Sequence, residues 1–213
     1  MSAADAKIVK TEPLDPKDAC WVRLVKTTYT DPTSTTRDWE SAERQTRPAD
    51  SAVDGVGIVA ILQTPGSDEP PSLLLQKQFR PPVGAVCIEV PAGLVDAGET
   101  PERCAVRELK EETGYEGVVV GVDEGFGVSP VMWNDPGFCN TNLNMVHVTV
   151  DMTKPANKNP QPELEDNEFI ECFTVPLADL YARCRELERQ GYAIDARVGT
   201  LAEGIEIAKR WKL

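Results

Sequence analysis

The stretch Gly93-Leu-Val-Asp-Ala-Gly-Glu-Thr-Pro-Glu-Arg-Cys-Ala-Val-Arg-Glu-Leu-Lys-Glu-Glu-Thr-Gly-Tyr115 carries the boundaries of a helix in its own residues. Thr100 suits the N-cap, where a side-chain oxygen accepts a backbone N–H that the first turn leaves free. Pro101 fits the first helical position and Gly114 the position after the last turn, so a helix is predicted over 101–113. On that helix Glu108 and Glu112 are four residues apart and emerge on one face, about 6 Å from each other. Glu111 stands beside them, and Lys110 is the only neighbouring amine. Alone, such a stretch reads as a solvated acidic face. A divalent cation offers a different resolution, because Mg2+ takes oxygen ligands, keeps part of its water shell and is shared between carboxylates and substrate phosphates.

Outward from the helix the chain reads as a mixed α/β domain. Val56–Leu62, Ser72–Phe79 and Val86–Val90 are apolar strand candidates, with Thr64–Pro71 a loop by composition. Further strands are expected near 116–123, 143–150 and 168–175. Helices are expected over about 177–190 and 195–211, the second capped by Asp195. Upstream, Cys20–Tyr29 and Arg37–Arg44 read as two strands joined by the turn residues Asp31–Ser34. A lone hairpin is too small to be stable, so it must pack on the main domain or on a second subunit. Residues 1–18 read as a tail or an edge strand, 19–50 as a β extension and 51–213 as the main domain, with Thr46–Asp54 as a linker.

Composition limits what the chain does. Its 213 residues carry a formal net charge of -13, which argues against sequence-independent binding to nucleic acid. A small anionic substrate would need a metal and a few placed arginines to overcome that field. Six cysteines without a C-x-x-C pair read as small buried thiols in a reducing compartment, not as a zinc site. The single histidine, His147, falls in a strand pattern and reads as structural, which leaves catalysis to carboxylates. The first residues lack the apolar segment of a signal peptide, and no run approaches the roughly 20 apolar residues that span a bilayer. The cytosol is the expected location, a nuclear pool is compatible with it, and no membrane partner is expected.

The spacing Gly93-x5-Glu99-x7-Arg107-Glu108-Leu109-x-Glu111-Glu112-x-Gly114-Tyr115 meets every fixed position of the Nudix hydrolase signature, with only Tyr115 standing where an aliphatic residue is commoner. The chain thus resembles the Nudix superfamily. The resemblance implies an α/β/α sandwich with a mixed sheet and a magnesium-dependent hydrolysis of a diphosphate joined to another group, Mn2+ being a substitute metal. It implies Glu108 and Glu112 as metal ligands, Glu111 as a further ligand or assistant, and the carbonyl of Ala92 as one more. Arg107 and Glu99 would hold these carboxylates in place, and Gly93 would permit the tight loop before the helix.

From about Trp21 to Trp211 the chain is similar to the ADP-ribose and ADP-sugar pyrophosphatases in particular. Pro130, sixteen residues after Gly114, and the segment Lys77–Pro82 are shared features. The N-terminal hairpin matches the small β domain through which those enzymes form homodimers with shared active sites. The resemblance places Trp21 and Trp39 on either side of the adenine, one from each subunit, with core or dimer packing as the plainer role. Arg44 and Arg80 would meet phosphate or ribose oxygens, Glu40 the adenine amino group, and Leu94 and Asp135 the substrate as well. A surface ion pair is the plainer role for the charged members. Glu168, in the acidic loop Glu163–Glu168, sits where the family supplies a general base, with Glu165 and Asp166 as competitors.

Three other readings compete with this one. Another Nudix specificity lacks support, since the NADH-type and CoA-type segments are absent and RNA-decapping relatives carry basic surface. A nucleotide-binding domain without catalysis would lose box glutamates, all of which remain here. An acidic scaffold protein would show no metal-dependent activity at all.

Overall fold

The computed structural model describes residues 3–121 and 126–213. The N-terminal hairpin forms a two-stranded antiparallel sheet of its own, β1 (Val22–Thr30) against β2 (Thr36–Arg44). Asp31 fastens its turn, accepting from the Thr33 and Thr35 amides at 2.8 and 2.9 Å and from Arg37 Nε at 2.7 Å. Most of the hairpin stays exposed, Leu24 at 85%.

The main sheet is built from β3 (Gly55–Gln63), β4 (Ser72–Arg80), β5 (Ala85–Glu89), β6 (Ala92–Leu94), β7 (Val118–Val119), β8 (Met132–Trp133), β9 (Asn142–Asp151), β10 (Glu171–Pro176) and β11 (Ala193–Ile194). Its spine runs β11-β5-β4-β3-β9-β7, with β10 on β4, β6 on β3 and β8 on β9. The pairing of β3 with β9 is parallel and extends from Gly55↔Leu143 to Gln63↔Asp151. By contrast, β3 and β4 are in register only at Ile61↔Leu73 and Leu62↔Ser72. Beyond that point they diverge. The β5–β6 segment fills the gap, β5 pairing with β4 and β6 pairing with β3. This wedge sets Ala92 and Gly93 at the opening of the sheet, next to the helix that follows.

Both faces are covered. Helix α1 (Pro101–Thr113) lies on one, where Leu109, Ala105 and Cys104 pack with Val56, Ile58, Leu74, Val146 and Val148. Helices α2 (Leu180–Arg189) and α3 (Ala196–Trp211) lie on the other, with Leu180, Leu187, Val198 and Ala202 against Val59, Leu73, Leu75 and Ile88. The central strands therefore bury alternate residues on opposite sides, which explains their nearly unbroken apolar sequence. Loss of a wholly buried side chain such as Leu109 would cost about 2–5 kcal/mol.

The caps match the expected positions. Thr100 Oγ1 accepts the Arg103 amide, Asp195 accepts the Arg197 amide, and Gly114 has φ 73°. Several strand expectations need correction. The strand expected over 116–123 is ordered as a ladder only at Val118–Val119, and positions 122 and 123 lie outside the described residues. β6, β8 and β11 are too short to show a period in sequence and exist because longer neighbours offer them an edge. Residues 177–179 form a 3-10 turn before α2. In the first 18 residues no strand forms among those described; Ala3 is buried instead, its amide donating to Glu171 at 3.0 Å.

The segment expected as a linker is anchored. Arg47 grips Asp54 through Nε and Nη2 at 3.0 and 2.8 Å, and Asp54 exchanges hydrogen bonds with Asn142 in both directions. Arg47 also donates to the carbonyl of Asn140, whose side chain accepts from the Arg44 amide. The hairpin is thereby tied to the loop before β9. Among the described residues no helix is long and apolar enough to cross a membrane.

Candidate active site

At the N-terminal approach to α1, Gly93 lies hard against Glu108: a Cβ added to Gly93 would stand 1.9 Å from the Glu108 carboxyl carbon. The expected reason for this glycine, a tight loop, gives way to one of space. Similarly, Gly55 on β3 has the Gly93 carbonyl 2.4 Å from where a Cβ would be. The two glycines let loop, strand and carboxylate share one small volume.

Arg107 organises the acids. Its Nε and Nη2 each lie 2.9 Å from a different oxygen of Glu99, and Nη1 donates to Glu108 at 2.8 Å and to Glu111 at 3.0 Å. A remaining Nη2 donor reaches the Leu94 carbonyl at 3.2 Å. The paired guanidinium holds Glu99 down at about 2, and the same contacts raise Arg107 above its ordinary value. Glu112 differs from its neighbours. It is 5% exposed, and its Oε2 accepts the Ala92 amide at 3.0 Å. Burial pushes it up to about 8 despite that hydrogen bond, and burial also raises Glu108. The charge of Glu168 acts on both Glu108 and Glu112 in the same direction, which puts the acidic loop in electrostatic range of the helix. That loop is fastened to α1 by the Glu163 amide donating to the Glu111 carbonyl at 2.7 Å.

Among the described residues no three His, Cys, Asp or Glu side chains close into a metal cage by themselves. The carboxylates are nevertheless a set that a divalent cation fits. Among the described residues Glu112 is buried with no cationic partner, and Glu108 meets one cation that it shares with Glu99 and Glu111. An ion using two carboxylates and completing its shell with water and phosphate oxygens matches the habit of Mg2+.

A Nudix domain model matches residues 52–197. The chain belongs to the Nudix family. Relatives of this Nudix protein include the ADP-ribose pyrophosphatase of Saccharomyces cerevisiae, 49% identical over 98% of this chain and 87% of that one. The ADP-sugar pyrophosphatase of Mus musculus is 42% identical over 84% of this chain and 78% of that one. Nudix hydrolases generally require a divalent metal, in keeping with the acidic set described above.

Around the Nudix box the remaining candidates separate into two groups. Arg80 is near the box but is engaged: its Nε lies 3.1 and 2.9 Å from the two oxygens of Glu89, a buried carboxylate that the sequence reading missed. Leu94 follows Gly93 on β6, its side chain partly exposed. Glu168 and Glu165 bond to each other through backbone and side chain, at 3.0 Å from the Glu168 amide to the Glu165 carbonyl and 3.1 Å from the Glu165 amide to Glu168 Oε2.

The second group sits on or beside the hairpin. Trp21 and Trp39 are 62% and 52% exposed. The Trp39 Nε1 donates to the Gly137 carbonyl at 3.1 Å, in a turn where the Asp135 carbonyl accepts from Phe138 and Cys139. Cross-strand register puts Trp39 opposite Thr27, and Glu40 opposite Lys26 on the other face. Trp21 lies just before β1, six residues from Thr27, about 20 Å along the backbone at strand spacing. Arg44 is on the Glu40 face, with its Nε buried and without a hydrogen-bond partner among the described residues.

His147 packs against Phe126 with ring centroids 3.9 Å apart, and burial lowers its pKa. The six cysteines are free, but Cys20 and Cys172 are exposed, contrary to the expectation that all are buried. A cavity of about 710 Å3 lies between α3 and the opposite sheet face, lined by Val59, Met145, His147 and Ile205. No residue of the acidic helix lines it.

Proposed function

We propose that this protein hydrolyses ADP-ribose, with related ADP-sugars as further substrates, to AMP and ribose 5-phosphate. The reading rests on one observation above all: Glu108 and Glu112 converge beside Gly93 and Ala92, with Arg107 and Glu99 bracing them and Glu168 in electrostatic range. The names of the yeast and mouse relatives supply the substrate class. Mg2+ is the metal, held by Glu108, Glu112 and the carbonyl of Ala92, with Glu111 as a further ligand and Mn2+ as a substitute. When bound, it supplies charge for the diphosphate and acidity for a water.

The protein's own groups do the rest. Arg107 keeps Glu108 and Glu111 aimed at one point, and Glu99 keeps Arg107 from turning away. Glu168 takes the proton from the attacking water at its carboxylate oxygen. Arg80, steered by Glu89, meets a phosphate or ribose oxygen, while Leu94 and Asp135 line the sugar side. Arg44 likewise meets a phosphate or ribose oxygen.

The adenine lies between Trp21 of one protomer and Trp39 of its partner, with Glu40 accepting from the amino group. This arrangement makes the enzyme a homodimer assembled through residues 19–50. The cytoplasm is its place of work, and a nuclear pool is compatible with this.

The test incubates the full chain with Mg2+ and, separately, ADP-ribose, NADH, CoA or capped RNA. AMP and ribose 5-phosphate from ADP-ribose are expected. Intact ADP-ribose alongside cleavage of another substrate would overturn the specificity, and no cleavage with heat protection by ADP-ribose would make the protein a binding module.

A further inference from the structure

Gln76 on β4 is a polar side chain in a place where an apolar one would be expected. It is 0% exposed, and neither its amide nitrogen nor its amide oxygen has a hydrogen-bond partner among the described residues. Every other buried position of the β4 core is leucine: Leu73, Leu74 and Leu75. A buried amide left without partners lowers stability, so a folded protein gains by replacing it with a leucine unless the amide serves another purpose.

Its surroundings indicate that purpose. Gln76 shares the α1 side of the sheet with Leu74, and its register partners are Cys172 on β10 and Glu89 on β5. Cys172 lies beneath the end of α1, its Sγ 3.8 Å from the Glu112 carbonyl. On the far side, Glu89 holds Arg80. Leu74, Cys172 and Glu112 line one small cavity of about 300 Å3. The Gln76 amide comes close enough to the Glu112 carboxylate to favour its charged form, without meeting the geometry of a full hydrogen bond to it. From Ala92, that carboxylate receives one hydrogen bond, to Oε2. A carboxylate has lone pairs for more donors, and Gln76 brings two N–H donors without other employment.

We infer that Gln76 is a positioning residue for the divalent cation: its amide donates to the Glu112 carboxylate and, opposite the Ala92 amide, fixes the orientation in which Glu112 meets the metal. The inference rests on the metal assignment of the proposed function. Gln76 itself touches neither metal nor substrate. Groups that orient a metal ligand in this way typically contribute about 10–100-fold to metal affinity.

The experiment measures Mn2+ binding to the full chain without nucleotide, by calorimetry, for the wild type, Gln76→Leu and Glu112→Gln, together with the melting temperature of each in chelator. For Gln76→Leu we expect Mn2+ binding weakened by about 10-fold or more while the metal-free melting temperature holds or rises. Wild-type affinity in the folded Leu variant overturns the inference, as does a lowered melting temperature with unchanged affinity, which would make Gln76 a packing residue. Should Gln76→Leu not fold, Gln76→Met, which keeps the length and removes the amide, is read by the same criteria. If Glu112→Gln loses Mn2+ and Gln76→Leu does not, this inference alone falls. If Glu112→Gln binds Mn2+ like the wild type, the metal assignment falls and this inference with it.

Discussion

Arg107 meets Glu99 edge-on, two parallel hydrogen bonds of 2.9 Å joining a planar guanidinium to a planar carboxylate. The pair leaves Nη1 free to serve Glu108 and Glu111. A lysine carries the same charge but a single nitrogen, and it cannot hold Glu99 at two points while reaching two other acids. Arg107→Lys is expected to lower kcat by about 10–100-fold with the fold retained. Steady-state hydrolysis of ADP-ribose beside a circular dichroism melt checks this, and activity within twofold of wild type would refute the bracing role.

Gly93→Ala addresses space and not flexibility. The added Cβ would stand 1.9 Å from the Glu108 carboxyl carbon, so the carboxylate must swing away. Metal-dependent turnover is expected to fall by about two orders of magnitude, the cost of displacing one reacting group by an ångström or so. A crystal structure of the variant would show the displaced Glu108; an unmoved carboxylate with normal turnover would contradict the packing described.

Glu112 gives the metal-free protein a pH dependence whose sign follows from burial. Its folded-state pKa, about 8, lies above the ordinary 4.5, so the folded protein holds a proton that the unfolded chain releases. The resulting stabilisation is complete below about pH 4.5 and is lost as the pH rises toward 8. In chelator, Glu112→Gln should flatten this decline, whereas metal should reverse it in the wild type by favouring the ionised form. Melting temperatures taken from about pH 5 to about pH 9 would show the contrast. Equal slopes in variant and wild type would exclude Glu112 as the source.

Trp39 is anchored through its Nε1 to Gly137 and exposes its ring. Trp39→Phe keeps a stacking face and loses the anchor; Trp39→Ala loses both. With ADP-ribose, KM is expected to rise about tenfold or more for Ala, equivalent to a stacking contribution of about 1–3 kcal/mol, and less for Phe, with kcat little changed in both. Unchanged KM with a lowered melting temperature would assign the indole to packing alone.

The acidic helix was legible residue by residue because its signals are local. Thr100, Pro101 and Gly114 mark its ends through backbone chemistry confined to a single turn, and the spacing of Glu108, Glu111 and Glu112 needs only about 3.6 residues per turn. Glu89 and Gln76 could not be found that way. Each is an ordinary polar residue in a strand, and what makes it significant is a neighbour across the sheet: Arg80 in one case, the Cys172 and Glu112 region in the other. The polar run Gln76-Lys77-Gln78 even suggests a solvated strand end, whereas Gln76 is completely buried.

By itself, then, the sequence determined the helix, its caps, the carboxylate row and the membership of a diphosphate-cleaving family, because these depend on residues within a few turns of one another. Tertiary structure alone decided why Gly93 must lack a side chain, which cation braces which acid, and that Arg80 is committed to Glu89. Those facts arise where β3 and β4 diverge and the β5–β6 segment fills the gap, a junction of strands distant in sequence, whose contacts no local spacing encodes.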